Sequence, residues 1–301
     1  MIFCIFCKKA FHSVGKDESK QKIRETRKGA NAVEKPKDGS QNIMLLCEDS
    51  LEGIFTGIYE AYALRIPHEH IGLQIGEEET LMLFTSYRQV AADNEKAKKV
   101  SRTLRTRFGE ADYYTLCMAL SSPALEKAQA VYKTVVYGLS AKRRGRVLEH
   151  LSDNNIRRVM ELNRGAVNEL LHLKGFLRFQ ELENGLLHAV IRPKNNILPM
   201  LAEHFADRFP GENFIIHDEG RNVYALHPTG KEWFLMEGQE AAAGMEEEKN
   251  VLRLSAEEQH YQELFRHFCH NISIKDRKNL KLQGNMLPLR FRPYMVEFAK
   301  K

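Results

Sequence analysis

The sequence predicts an α+β fold: a mainly helical first half, then a β-hairpin and meander forming an antiparallel sheet with a packed helix, and a C-terminal helix. Three observations predict it. Apolar residues recur at helical spacing through much of residues 51–173, the period changes to two from Leu177 onward, and turn residues punctuate both regions.

The first element is the apolar run Ile43 to Cys47, a strand. Asp49-Ser50-Leu51-Glu52 follows, where an acidic or hydroxyl N-cap precedes a carboxylate in the first turn and can accept from a free backbone N–H. Leu51, Ile54, Phe55, Ile58 and Tyr62 give the resulting helix one apolar face, and Pro67 marks its end. Between Ala91 and Leu139 the same spacing, broken at Gly109 and at Ser121-Ser122-Pro123, predicts two or three more helices. Asn155 to Leu173 is another amphipathic segment, through Ile156, Val159, Val167, Leu170 and Leu171, with Gly175 at the C′ position.

Leu177-Arg178-Phe179-Gln180 and Leu187 to Ile191 alternate apolar and polar residues around the turn Glu183-Asn184-Gly185, the pattern of a hairpin. A helix is expected from Ile197 to Phe209, capped by Asn196, with Pro199 in its first turn and Leu198, Leu201, Ala202, Phe205 and Phe209 on one side. Phe214 to Ile216, Val223 to Leu226 and Trp233 to Met236 read as short strands, and the acidic stretch from Glu237 to Asn250 as a loop. Ser255-x-x-Glu258 is a capping box, opening a last helix whose Tyr261, Leu264, Phe265, Phe268 and Ile272 form the expected buried stripe. The organisation is therefore a 1–42 arm, a helical 43–150 region and an α+β 151–301 region.

At 43% hydrophobic and 28% charged residues the composition is that of a soluble globular protein. No apolar run approaches the roughly 20 residues of a bilayer span, and no secretory signal opens the chain, so a cytoplasmic location is expected. Cys47, Cys117 and Cys269 lie in apolar or helical stretches, as small buried hydrophobes do, so a disulfide framework is not expected. The formal net charge is +5, but residues 1–37 hold ten Lys or Arg against four acids, leaving −1 for the remainder. Residues 1–42 read as a basic disordered arm or as an extended start ahead of Met44. Cys4-x-x-Cys7 with His12 lacks the fourth ligand of a structural zinc site, so no metal is expected.

There is no glycine-rich phosphate loop, no Gly-x-Ser-x-Gly elbow, no His-Glu-x-x-His and no triple-cysteine motif for an iron–sulfur cluster, so no cofactor is expected. A helical wheel sets His204, Asp207 and Arg208 on or beside the face opposite Leu198 and Phe205. His204 and Asp207 suit acid–base or metal work, or simple pairing on a helix surface. Lys174 and Arg178 can face a phosphate while Phe176 offers a stacking surface, although cations also suit a helix C-terminus. His217-Asp218-Glu219-x-Arg221 is a third polar cluster. Near the C-terminus Arg277, Lys278, Asn279 and Gln283, with Arg290-Phe291-Arg292-Pro293-Tyr294 beyond, form the best phosphate-binding candidate outside the arm. Further basic clusters span Lys96 to Arg107 and Lys142 to Arg146.

Cys47-Glu48-Asp49-Ser50-Leu51-Glu52-Gly53-Ile54-Phe55, the run Lys174 to Phe179, Ile197 through Phe209, and Arg277-Lys278-Asn279 through Gln283 together resemble the bacterial family called probable DNA metabolism proteins. The resemblance spans roughly Ile43 to the C-terminus and implies a conserved C-terminal domain of unknown function. It also implies a role in DNA repair or modification beside a radical-SAM protein, and relatives fused to a uracil-DNA-glycosylase-like domain. Contact with DNA through Lys174, Phe176, Arg178, Arg208, Arg277, Lys278, Asn279 and Gln283 is the leading expectation. An enzyme using His204 and Asp207, or a protein-interaction scaffold, are the alternatives.

Overall fold

A parallel strand covered on both faces reads as an unbroken apolar run, and Ile43 to Cys47 is that run. It forms the centre of a sheet in the computed structural model, which describes residues 42–76, 82–140, 147–238, 253–274, 277 and 279–298. Strand β1 (Asn42–Cys47) is flanked by β2 (Ile71–Ile75) and β3 (Thr85–Val90), both parallel to it, in the order β2-β1-β3. The two flanking strands were not expected from the sequence. Strand β2 does alternate, Ile71, Leu73 and Ile75 against Gly72 and Gln74, but over only five residues including a glycine, and β3 is mostly polar, with neither an apolar run nor clean alternation.

Helix α1 (Leu51–Ala63) starts as its sequence dictates, with Ser50 Oγ accepting from the Gly53 N–H at 2.9 Å. Ile54, Phe55 and Ile58 are buried, whereas Tyr62 at the end of the stripe is exposed. Gly57 lets the helix sit close on the sheet: a Cβ there would lie 2.3 Å from Cys47 Sγ. The next three helices, α2 (Asn94–Phe108), α3 (Glu110–Leu120) and α4 (Lys127–Ser140), break at Gly109 and at Ser121-Ser122-Pro123, as expected. Lys127 is buried, with Nζ 2.5 Å from Asp49 and donating to the Ser122 carbonyl at 2.6 Å. Cys47 and Cys117 are buried and Cys269 is half-buried.

The chain divides into two compact units, Met1–Val167 and Asn168–Lys301. The boundary falls inside helix α5 (Asn154–Phe176), which runs through Gly175 rather than ending before it. Helical bonding persists to the Leu177 N–H, which donates to Leu173 O at 3.0 Å, while Phe176 packs on His172 and Phe291.

In the second unit the expected strand at 177–180 shortens to β4 (Gln180–Glu181), because Phe179 is drawn into a ring cluster with Phe205, Phe209 and Phe214. The sheet runs β4-β5-β6-β7-β8 through β5 (Leu187–Ile191), β6 (Phe214–Asp218), β7 (Val223–His227) and β8 (Phe234–Glu237). It is mixed rather than wholly antiparallel: helix α6 (Leu198–Arg208) carries the chain back from β5, so β5 and β6 pair in parallel. Ala189, Ile191, Leu198, Leu201, Phe205, Phe214, Ile216 and Ala225 form the core. Helix α6 is preceded by Ile197 with no side-chain cap, so Asn196 does not cap it.

Helix α7 (Ala256–Asn271) opens as expected, Ser255 Oγ accepting from the Glu258 N–H at 3.0 Å. Its expected buried stripe is instead exposed, from 39% for Phe265 to 65% for Tyr261. Gln262 is its one buried residue, with Glu258, Arg266 and Cys269 half-buried, so the helix turns polar side chains inward. Helix α8 (Leu280–Met286) and the 3₁₀ turns Leu289–Tyr294 and Val296–Phe298 end the description. Among the described residues no helix is long and apolar enough to cross a membrane. Residues 1–41 of the arm, the 142–146 basic cluster, 239–250 of the acidic stretch, and Lys278 lie outside the described residues.

Candidate nucleic-acid interface

After β5 the chain enters Arg192-Pro193-Lys194-Asn195-Asn196, in which Pro193 and Asn195 are buried while Arg192, Lys194 and Asn196 are exposed. Two buried carboxylates hold this segment in place. Glu169 on α5 is 1% exposed. Its Oε1 accepts from the Lys194 N–H at 3.0 Å, and its Oε2 accepts from the Asn195 N–H at 2.8 Å and the Asn195 side-chain amide at 2.6 Å. Arg290 adds an ion pair at 3.1 Å. At the end of β6 the wholly buried Asp218 accepts from the Gly220 N–H at 3.0 Å and pairs with Arg221 at 2.9 Å. The same guanidinium donates to the carbonyls of Pro193 at 3.1 Å and Lys194 at 2.6 Å. One carboxylate therefore binds the segment's N–H groups, and the other, through Arg221, binds its carbonyls. A buried carboxylate costs several kcal/mol unless fully paired, and both are. The result is a loop held through both its N–H groups and its carbonyls at the carboxyl end of β5.

Beside it, the Tyr294 hydroxyl donates to Glu219 at 2.7 Å, with Arg192 near it. Burial first, and then Glu219, push that hydroxyl up to about 12. On the neighbouring strands the rings of His217 and Tyr224 stack at 4.1 Å, 3° from parallel. Nearby, Asn222 has φ 54° and closes against Gly238; a Cβ on Gly238 would meet Asn222 at 2.0 Å. Burial depresses both His217 and His188 below the ordinary imidazole range, and His217 lowers His188 further, so both rings are neutral near pH 7. Exposed cations and an amide on a rigid frame can bind phosphate oxygens. Among the described residues no group of three His, Cys, Asp or Glu could hold a metal ion.

The structure sorts the residues singled out from sequence. Half-buried His204 is depressed by burial, then by Lys174 and Arg208, with Asp207 acting against them. Lys174, His204, Asp207 and Arg208 thus come together around the end of α6, where the cations outweigh the acid. Asp207 and Arg208 are exposed, and the Arg208 guanidinium lies 5.7 Å from the Phe209 ring. Phe176 stacks on His172 at 5.5 Å, so its ring is used in packing. Arg178 is tied to Glu297 at 3.0 Å and to the Gly175 carbonyl at 2.9 Å. Asn279 caps α8, accepting from the Leu282 N–H at 2.9 Å, while Arg277 and Gln283 are exposed. Sequence reasoning missed Glu169, Arg192, Lys194, Asn195 and Asn196, and singled out Asp218 and Arg221 without their partners. One signal was available: Glu169 falls within a stripe otherwise made of Ala166, Leu170 and Leu173, all buried.

A family model described as a domain of unknown function, DUF4130, matches residues 125–297. No curated protein matches the chain. Among solved structures, the DHH domain of a member of a family of ribosomal proteins is similar at 9% identity, with a TM-score of 0.29, over 63% of this chain and 74% of that one. So low a TM-score carries no argument about fold or function.

Proposed function

We propose that this chain, which belongs to the DUF4130 family, contacts nucleic acid through the loop 192–196 and serves as an accessory in DNA repair or DNA modification beside a radical-SAM partner. The observation that carries the reading is the loop itself: two buried carboxylates immobilise a surface segment whose exposed side chains are Arg192, Lys194 and Asn196. A loop whose backbone is already fixed presents its cations to phosphate without losing loop entropy at the moment of contact. Lys174 and Arg208 add positive charge around α6. The resemblance to DNA metabolism proteins supports the process and the partner.

Binding of fluorescent single-stranded and duplex oligonucleotides at about 50 and about 200 mM salt tests the reading, since each phosphate contact adds about one to the salt slope. The Arg192→Ala, Lys194→Ala double variant is expected to bind more weakly, with a slope about two units shallower. Equal affinity and equal slope in variant and parent would end this proposal.

A second reading, an enzyme acting on nucleotides or DNA through His204 and Asp207, is favoured by one observation. The depressed His204 imidazole stays neutral near pH 7, the form that accepts a proton. Full turnover by a His204→Ala variant, in a system reconstituted with the radical-SAM partner, would remove it.

A further inference from the structure

The basic run Lys96 to Arg107 takes no part in the loop at 192–196 and belongs to the other compact unit. It occupies helix α2, whose fifteen residues hold six Lys or Arg against one acid, although residues 38–301 as a whole are net −1. Ala97, Val100, Ser101 and Leu104 are buried, so one side of the helix lies against its own unit and the other meets water. The exposed charged side chains of the helix are Lys98, Lys99, Arg102 and Arg107, with Glu95 as the one exposed acid.

Four carboxylates beside these cations have other partners. Asp93 caps α2, accepting from the Glu95 and Lys96 N–H groups at 2.9 and 3.1 Å. Glu60 holds Lys96 at 2.6 Å, Glu95 holds Lys98 at 3.0 Å, and Glu110 lies 3.7 Å from Arg105. Among the described residues Lys99, Arg102 and Arg107 have no carboxylate as ion-pair partner, and Lys99 rests 5.7 Å from the Tyr59 ring. Lys98 and Lys99 stand four and three residues before Arg102, the spacing at which like charges repel on a helix. The fold leaves that repulsion without a counter-charge.

We infer, on the nucleic-acid reading above, that α2 is a second nucleic-acid surface, which holds the sugar-phosphate backbone through Lys99, Arg102 and Arg107, with Lys98 beside them. The charge spacing suits this partner. At 1.5 Å rise per residue the four cations span about 14 Å, one per roughly 4 Å, against one phosphate per about 3.4 Å along each strand of a duplex. A membrane surface suits the helix less, because an interfacial helix sinks apolar side chains among lipids and the apolar side of α2 is buried in its own unit. Backbone contacts of this kind fix position and carry no base sequence.

A Lys99→Gln, Arg102→Gln, Arg107→Gln variant removes the three charges at exposed positions, where glutamine is close to lysine and arginine as a helix former. Its thermal midpoint is expected to match or exceed the parent's, since a repulsion goes with the charges. Fluorescent duplexes of two unrelated sequences are then bound at about 50 and about 200 mM salt. Three lost phosphate contacts make the salt slope shallower by about 2.7, so the parent is expected to lose about 40-fold more affinity than the variant between those concentrations, on both sequences. Unchanged affinity and slope in this variant, beside weaker binding by Arg192→Ala, Lys194→Ala, overturns the inference and leaves the loop reading in place. A change confined to one sequence overturns the backbone contact. A parent that binds neither duplex nor single strand at the lower salt ends both readings. Vesicles of phosphatidylserine and phosphatidylcholine are the last probe: a variant that loses vesicle binding and keeps the parent's salt slope on DNA makes the partner a membrane, which also overturns the inference.

Discussion

Replacing Glu169 with alanine is the sharpest test of how the surface loop is held. The carboxylate is 1% exposed and accepts the Lys194 N–H at 3.0 Å, the Asn195 N–H at 2.8 Å and the Asn195 side-chain amide at 2.6 Å, while Arg290 pairs with it at 3.1 Å. Truncation removes the acceptor for all three and leaves the Asn195 donors without it inside the fold. An orphaned buried donor costs about 1–3 kcal/mol, and breaking a buried ion pair costs about 3–5 kcal/mol when the partner stays buried. Arg290 is 37% exposed and can turn to water, so its share is smaller. The expected loss is roughly 3–4 kcal/mol, a large part of the 5–15 kcal/mol that stabilises an ordinary domain. Urea unfolding followed by circular dichroism measures it, and amide hydrogen exchange at Lys194 and Asn195 locates it. A loss below about 1 kcal/mol, with protection at those two amides intact, would refute the claim that Glu169 fixes the loop.

Gly57→Ala sets a Cβ 2.3 Å from Cys47 Sγ, so overpacking of about 1–3 kcal/mol is expected, seen as a lower midpoint in thermal unfolding; an unchanged midpoint would show that α1 can lift from β1 freely. Burial and the neighbouring Glu48 push the Cys47 thiol up to about 12, so iodoacetamide at mild alkaline pH is expected to label Cys47 only after denaturation, as peptide mass mapping would show. His188 and His217 have folded pKa values below the 6.5 of a free imidazole. Above that pH both states are neutral, and as pH falls through it the unfolded chain takes up protons that the folded protein refuses, so stability falls. Between about pH 7.5 and about pH 5.5 the parent is expected to lose more stability than a His188→Asn, His217→Asn variant, read by urea melts at each pH. Gly238→Ala sets a Cβ 2.0 Å from the Asn222 side chain, so overpacking of about 1–3 kcal/mol is expected in urea melts; an unchanged midpoint would show that this turn gives freely.

Local physics made much of the fold legible. Ser255 caps the helix that it was read to cap, Ser50 rather than Asp49 caps the first, Gly109 and Ser121-Ser122-Pro123 break the helices of the first unit, the period-two run Leu187 to Ile191 became β5, and the three short strands became β6 to β8. In each case the decisive interaction spans a few residues, so the sequence contains both partners within one turn or one strand. Phe179 shows where that logic stops. Its alternating pattern predicts a strand, but the rings of Phe205 on α6, Phe209 just after it and Phe214 on β6 remove it from the sheet.

The sequence by itself determined the α+β class, most element positions and the cationic character of the 174–178 and 277–283 segments. Those follow from propensity, capping and spacing, which act along the chain. Only tertiary structure decided that Arg178 and Asn279 spend their side chains on Glu297 and on a helix cap, and that Glu169 and Asp218 frame the 192–196 loop. Glu169 and Asn195 are 26 residues apart, and no local rule pairs them. The stripe on α7 was visible in the sequence, but which side of it meets water was not. An apolar seam reads identically whether it faces its own core or water.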